Sequence, residues 1–216
     1  MKPTLYYYEH CPFCIRVLAL AGLANIDLNK EILQNDDEKT PIAMTGVKAL
    51  PILEYSPQQY MGESLDIVDY LCDKFAVDLE KNTDELNAVN QFLQDNRLLI
   101  YSLSMPRWAK MPFAEFATDE AIAYFVNKKT KTVGDFGQAI DNTSVYSKEL
   151  IAVLEKHAPL FDTLVQKPNN LASIMLFAAL FGVSCIKGFQ WTASSENFMQ
   201  TMAKLYNINL LTDKAV

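Results

Sequence analysis

Between residues 4 and 23 an aromatic run, a Cys-x-x-Cys and an apolar run follow in close succession, with only Glu9-His10 between the first two, and this order constrains the fold most. Leu5-Tyr6-Tyr7-Tyr8 has the composition of a buried strand, and Ile15 to Leu23 that of a helix. Cys11-Pro12-Phe13-Cys14 therefore falls at a strand-to-helix turn. Residues 27–33 alternate well enough for a second strand. The three pieces make a βαβ unit, with parallel strands and a right-handed crossover.

That turn has its own chemistry. A thiol attacks as its thiolate, and a free cysteine ionises only at roughly pH 8.5. The first amides of a helix are unpaired and carry partial positive charge. Cys11 would sit at that end, with Pro12 at the first helical position, where a missing N–H costs nothing. Cys14 follows one turn on, facing the same way, where its S–H or amide can donate to a Cys11 thiolate. Cys11 is thus expected to attack and Cys14 to resolve. A closed zinc site wants four ligands, whereas Cys72 and Cys185 are isolated and the only histidines are His157 and His10, which abuts Cys11, so no metal site is expected. A purely structural disulfide would close a tiny loop and constrain the unfolded chain little.

With 216 residues, half of them hydrophobic, the chain has enough material for a real core. Its formal charge is −7 and no basic cluster appears, which argues against nucleic acid or an anionic membrane as partner. No signal peptide is read at the N-terminus. Two isolated cysteines beside the motif make no disulfide framework, so a reducing, cytoplasmic setting is expected. Residues 171–186 are largely apolar but shorter than a bilayer needs, and are read as a helix buried on all sides.

Further along, Asn35-Asp36-Asp37 offers caps to a short helix through Met44. Residues 49–55 read as a strand opened or interrupted by Pro51; by frequency alone a cis bond there is improbable. Residues 58–61 suit an antiparallel partner. Ser64 is read as the N-cap of a helix beginning at Leu65. After Phe75 the composition changes: 76–83 reads as a linker, and helical signals dominate 84–216. Helices are expected over 84–103, ended or kinked at Met105-Pro106, from the Thr118 cap, over 136–157, over 171–186 and over 196–206. Tyr6, Tyr7 and Tyr8 are read as core and strand, Trp108 and Trp191 as packing residues, Arg16 as exposed, and Cys72 and Cys185 as small buried apolar groups.

Cys11-Pro12-Phe13-Cys14, Leu50-Pro51-Ile52-Leu53, Glu63-Ser64-Leu65-Asp66-Ile67-Val68, Pro106-Arg107-Trp108-Ala109-Lys110, residues 124–129 and Ile208-Asn209-Leu210-Leu211 together resemble the bacterial glutaredoxin 2 family. The resemblance runs almost end to end. It implies an α/β thioredoxin-fold domain over 1–75 and an all-α, glutathione-transferase-like domain over 84–216. It also implies that Pro51 is cis and faces the motif, leaving the Leu50 backbone free to pair with the cysteinyl part of glutathione like a strand edge. The γ-glutamyl end is assigned to Glu63 and Ser64, the carboxylate to the Ser64 amide and hydroxyl, the ammonium to Glu63. Without the resemblance, Ser64 is merely a cap and Glu63 a first-turn acid. Lys48 is set against the glycyl carboxylate, with an ordinary solvated lysine as the alternative. Pro12 and Phe13 complete the glutathione-binding set. Two departures stand out. Leu50 replaces the valine frequent in glutaredoxins. Asn170-Leu171-Ala172-Ser173 lacks the aspartate that usually completes the buried helix's cap in transferase-like folds.

The implied activity is glutathione-dependent thiol–disulfide exchange on disulfide-bonded or glutathionylated proteins, by a monomer, with glutathione as co-substrate. The rivals are a glutathione transferase conjugating electrophiles and a non-enzymatic interaction module; two well-placed thiols speak against both.

Overall fold

The computed structural model describes residues 2–216. It opens with β1 (Thr4–Tyr7), α1 (Pro12–Leu23), β2 (Asn29–Ile32), α2 (Lys39–Thr45), β3 (Ile52–Ser56), β4 (Gln59–Met61) and α3 (Ser64–Phe75). The sheet order is β2-β1-β3-β4: β1 and β2 are parallel, and the other two pairs antiparallel. This is the α/β arrangement expected. The alternation over 27–33 is not seen in burial. Asn29, Lys30 and Glu31 are all exposed, because β2 is an edge strand. The Leu50–Pro51 bond is cis, as the resemblance implies and against frequency alone.

The rest is helical: α4 (Thr83–Trp108), α5 (Asp119–Val133), α6 (Phe136–Asp141), α7 (Thr143–Lys156), α8 (Ala158–Leu164), α9 (Leu171–Phe181) and α10 (Ala193–Leu205), with short 3-10 turns between. The apolar α1 is packed on α3 on one side and on α9 on the other. Helix α9 is buried along almost its whole length. Near the end of α1, Gly22 lets the residue that follows α10 come close: a Cβ there would lie 1.7 Å from the Tyr206 carbonyl oxygen.

Several expected boundaries are corrected. Ser64 is the first residue of α3, and the flanking position belongs to Glu63, at φ 58. Asp37 does accept from the Thr40 amide (3.0 Å), but Asn35 and Asp36 cap nothing. Pro106 does not end α4, which runs on to Trp108; the Arg107 side chain ties that last turn to Thr143 and Val216. The single helix expected over 136–157 is two. Asn142 interrupts it, its amide donating back to the Gln138 carbonyl, as short polar side chains compete with helical backbone. Pro159 lies in the first turn of α8, just after Ala158, where its missing N–H costs nothing. The helix expected over 171–186 ends at Phe181 and passes into a 3-10 turn at Gly182, which lies so close to Trp108 that a Cβ would come within 2.5 Å of its ring. Helix α10 begins at Ala193, capped by Thr192, earlier than the expected 196.

The missing aspartate of the α9 cap has a replacement. The Asn170 side chain accepts from the Ala172 amide (2.8 Å), and its Nδ2 donates to Glu85, which also pairs with Lys167 at 2.6 Å. Ser173 donates to the Leu164 and Lys167 carbonyls instead. A carboxylate from α4 thus reaches the cap from outside the helix it serves.

Candidate active site

Cys11 takes the N-cap position of α1 with extended backbone, and Pro12 follows at the first helical position. Its half-buried thiol is pulled down to about 6. The largest cause is a hydrogen bond from the Cys14 thiol; burial opposes it, and His10 and the backbone amides of Cys14 and Phe13 add to it. The unpaired first amides of the helix thus contribute as the turn geometry requires, though less than the second sulfur does. Cys14 is wholly buried, and its thiol is pushed well up by burial and by the neighbouring Cys11. Its sulfur accepts from the Tyr8 amide at 3.5 Å. The two thiols share one environment and are driven apart, one toward the anion and one away from it.

Only the thiolate is alkylated, so Cys11 reactivity should rise with pH and reach its half-point near pH 6. A half-point at roughly 8.5, the value of a free cysteine, would contradict this. The measurement is the initial rate of iodoacetamide labelling at the Cys11 peptide, followed by mass spectrometry.

Cys11 opens onto a cleft of about 260 Å³. Phe13, Lys48 and Leu50 also line it, together with Tyr8, His10 and Lys129. The Cys11 sulfur lies 3.9 Å from the Leu50 carbonyl oxygen. Lys48 is no free surface lysine: its ammonium donates to the Tyr8 hydroxyl and to the Asp37 carbonyl, both at 2.6 Å. Pro12 lies outside this cleft, on a neighbouring groove of about 410 Å³ shared by Phe13, Arg16 and Tyr101. Glu63, Ser64 and Pro51 line neither; Glu63 is exposed, whereas Ser64 and Pro51 are buried.

Arg16 corrects the expectation of exposure. It is half-buried, lies over the Phe13 ring at 4.7 Å, and donates to the Ser64 hydroxyl at 3.4 Å. Its Nε is buried with no partner. Cys72 is also corrected, being half-buried, whereas Cys185 is buried as read. Tyr8 belongs to the cleft wall as well as to the core. His10 and Lys129 were not singled out in the sequence as site residues. Adjacency to Cys11 was a usable signal for His10, but nothing local marks Lys129, which reaches the cleft from α5. Among the described residues no cluster of three or more His, Cys, Asp or Glu can hold a metal ion, and no helix is long and apolar enough to cross a membrane.

Residues 74–215 match the family model described as Glutaredoxin 2, C terminal domain, and residues 5–82 match Glutathione S-transferase, N-terminal domain. Glutaredoxin 2 of Escherichia coli (strain K12) is 34% identical over 98% of this chain and 99% of its own length. The crystal structure of Glutaredoxin 2 from Salmonella typhimurium, in complex with glutathione, superposes with a TM-score of 0.90 at 32% identity, covering 99% of each chain. A glutathione transferase from Phanerochaete chrysosporium superposes with a TM-score of 0.66 at 13% identity, covering 95% of this chain and 97% of its own, a likeness of fold alone.

Proposed function

Because the chain belongs to the glutaredoxin 2 family, we propose that Cys11 is the attacking nucleophile and Cys14 the resolving thiol of a glutathione-dependent thiol–disulfide oxidoreductase. The observation that carries this reading is the splitting of the two thiols: the half-buried one on the cleft is the acidic one, and the buried one is not.

In the dithiol route the Cys11 thiolate attacks one sulfur of a substrate disulfide. That bond breaks, and the other sulfur leaves as a thiolate and takes up a proton. Cys14 then loses its proton and attacks the Cys11 sulfur, releasing the substrate's second thiol. The Cys11–Cys14 pair is left oxidised by two electrons and the substrate reduced by two. A glutathione thiolate opens that disulfide at Cys11, and Cys14 regains its proton. A second glutathione attacks the bound one, so glutathione disulfide leaves and the Cys11 thiolate returns. In the monothiol route Cys11 takes glutathione directly from a glutathionylated protein, and only the last step follows.

Glutathione as co-substrate accords with the complex of the Salmonella relative. We place its cysteinyl part along Leu50 and Pro51 beside Phe13 and Pro12, its glycyl carboxylate toward Lys48, and its γ-glutamyl end at Glu63 and Ser64. Arg16, donating to Ser64, adds a cation at that carboxylate end. The substrates are disulfide-bonded or glutathionylated proteins, and the protein works as a cytoplasmic monomer.

The test is a coupled assay with glutathione, glutathione reductase and a mixed-disulfide substrate. Cys14→Ser should keep the release of glutathione from a glutathionylated peptide to within about threefold, since that route never uses the second sulfur, while reduction of a protein disulfide stalls at the mixed disulfide. Loss of both activities in this variant would remove the monothiol route.

A further inference from the structure

The disulfide exchange described above leaves one buried ionisable pair without a part. Glu115, in the 3-10 turn Ala114–Phe116, is wholly buried. One of its oxygens accepts from the His10 ring nitrogen Nδ1 at 2.6 Å and from the His10 backbone N–H at 3.2 Å. The other has no partner. A carboxylate so placed keeps its charge only beside a cation, and His10 is the group in contact with it.

Five aromatic side chains enclose the imidazole. Tyr8 and Phe116 stack on it, with centroids 5.6 and 5.1 Å away; Trp108 and Phe113 are tilted against it, and Phe125 stands edge-on. Aromatic faces favour a cation between them. The same turn is tied to the loops around the cysteines: the Ala114 amide donates to the Glu9 side chain, and the Glu115 carbonyl accepts from the Asn35 amide. His10 in turn precedes Cys11 in the chain and lines the same cleft, and a charge on its ring lowers the Cys11 thiol.

We propose that Glu115 is a positioning residue that acts through His10: its carboxylate holds the imidazole charged and oriented in the aromatic box, and that charge keeps Cys11 ionised. Reactivity of the sulfur on α1 is then set in part by a carboxylate from the helical half of the chain, 105 residues away. The groups facing Cys11 from other elements are Cys14 and Arg16 on α1, Tyr8 after β1, Tyr101 on α4 and Lys129 on α5. Glu115 is not among the charges acting on Arg16, Tyr101 and Lys129, so their influence stays in place when the carboxylate is changed; Tyr8 and Cys14 do feel it, and its charge makes both hold their protons more tightly. The proposal rests on Cys11 as the nucleophile.

The test is the pH profile of iodoacetamide labelling at the Cys11 peptide in the full chain, for the unmodified protein, Glu115→Gln, His10→Gln and the double variant. Glu115→Gln should move the half-point up by about one pH unit, cutting the thiolate fraction at acidic pH roughly tenfold. His10→Gln should do the same, and the double variant should move no further than His10→Gln alone. An unmoved half-point in folded Glu115→Gln, or additive shifts, would overturn the proposal. If Glu115→Gln does not fold, NMR titration of the His10 ring in the unmodified protein decides. A ring charged throughout the range in which Cys11 ionises supports the proposal, and a neutral ring overturns it. Failure of the nucleophile assignment shows separately, as turnover surviving in Cys11→Ser.

Discussion

Cys11→Ser should abolish both routes of disulfide turnover, with kcat/KM falling by about a thousandfold or more. Every step of either route begins or ends on that sulfur, and a serine hydroxyl neither ionises near neutrality nor forms a disulfide. The neighbouring thiol is no substitute: Cys14 is wholly buried, its proton is held tightly, and its sulfur is turned to the Tyr8 amide. Cys72 and Cys185 are no substitutes either, since burial raises both thiols, Cys185 to about 12. The coupled glutathione assay measures the loss, and Cys72→Ser should retain full activity as the control. Turnover above a few per cent in folded Cys11→Ser would show that another group attacks.

Gly22→Ala should cost the fold about 3 kcal/mol or more, at the upper end of what overpacking does. The added carbon would lie 1.7 Å from the Tyr206 carbonyl oxygen and 2.6 Å from its carbonyl carbon, so backbone rather than a flexible side chain must give way. Tyr206 has little room to retreat. It is fully buried, its hydroxyl donates to the Pro168 carbonyl at 2.9 Å, and its ring stands edge-on to Phe177 at 5.2 Å. At about 2–4 °C per kcal/mol for a chain of this size, the melting temperature should fall by roughly 10 °C. Gly46→Ala is the comparison. Gly46 sits in open space at φ 81, where the cost is only conformational, about 1–2 kcal/mol. If the two variants melted together, the close approach of α1 to the segment after α10 would not be limiting.

The contrast between these residues also shows how far local rules reach. Strand, turn and helix around Cys11 were legible because each is a short-range pattern: an aromatic run, a proline at a helix start, an apolar run. The Thr118 cap of α5 was legible for the same reason. The merged 136–157 helix was misread because apolar spacing continues across Asn142, while the break is made by side chains bonding to the last turn of α6. Arg16 was misread because a lysine or arginine early in a helix is ordinarily solvated. Its burial comes from Phe13 beneath it and Ser64, 48 residues on, beside it.

What the chain alone determined was the chemistry on offer: two sulfurs one turn apart at the mouth of a helix, in a family whose members exchange disulfides with glutathione. Tertiary structure decided how those sulfurs differ. The charges and amides that lower Cys11 are its near neighbours His10, Phe13 and Cys14, whereas the burial that raises Cys14 comes from the packed core, with distant Glu115 adding to it. Ionisation is a sum over neighbours in space, and spacing along the backbone does not report who those neighbours are.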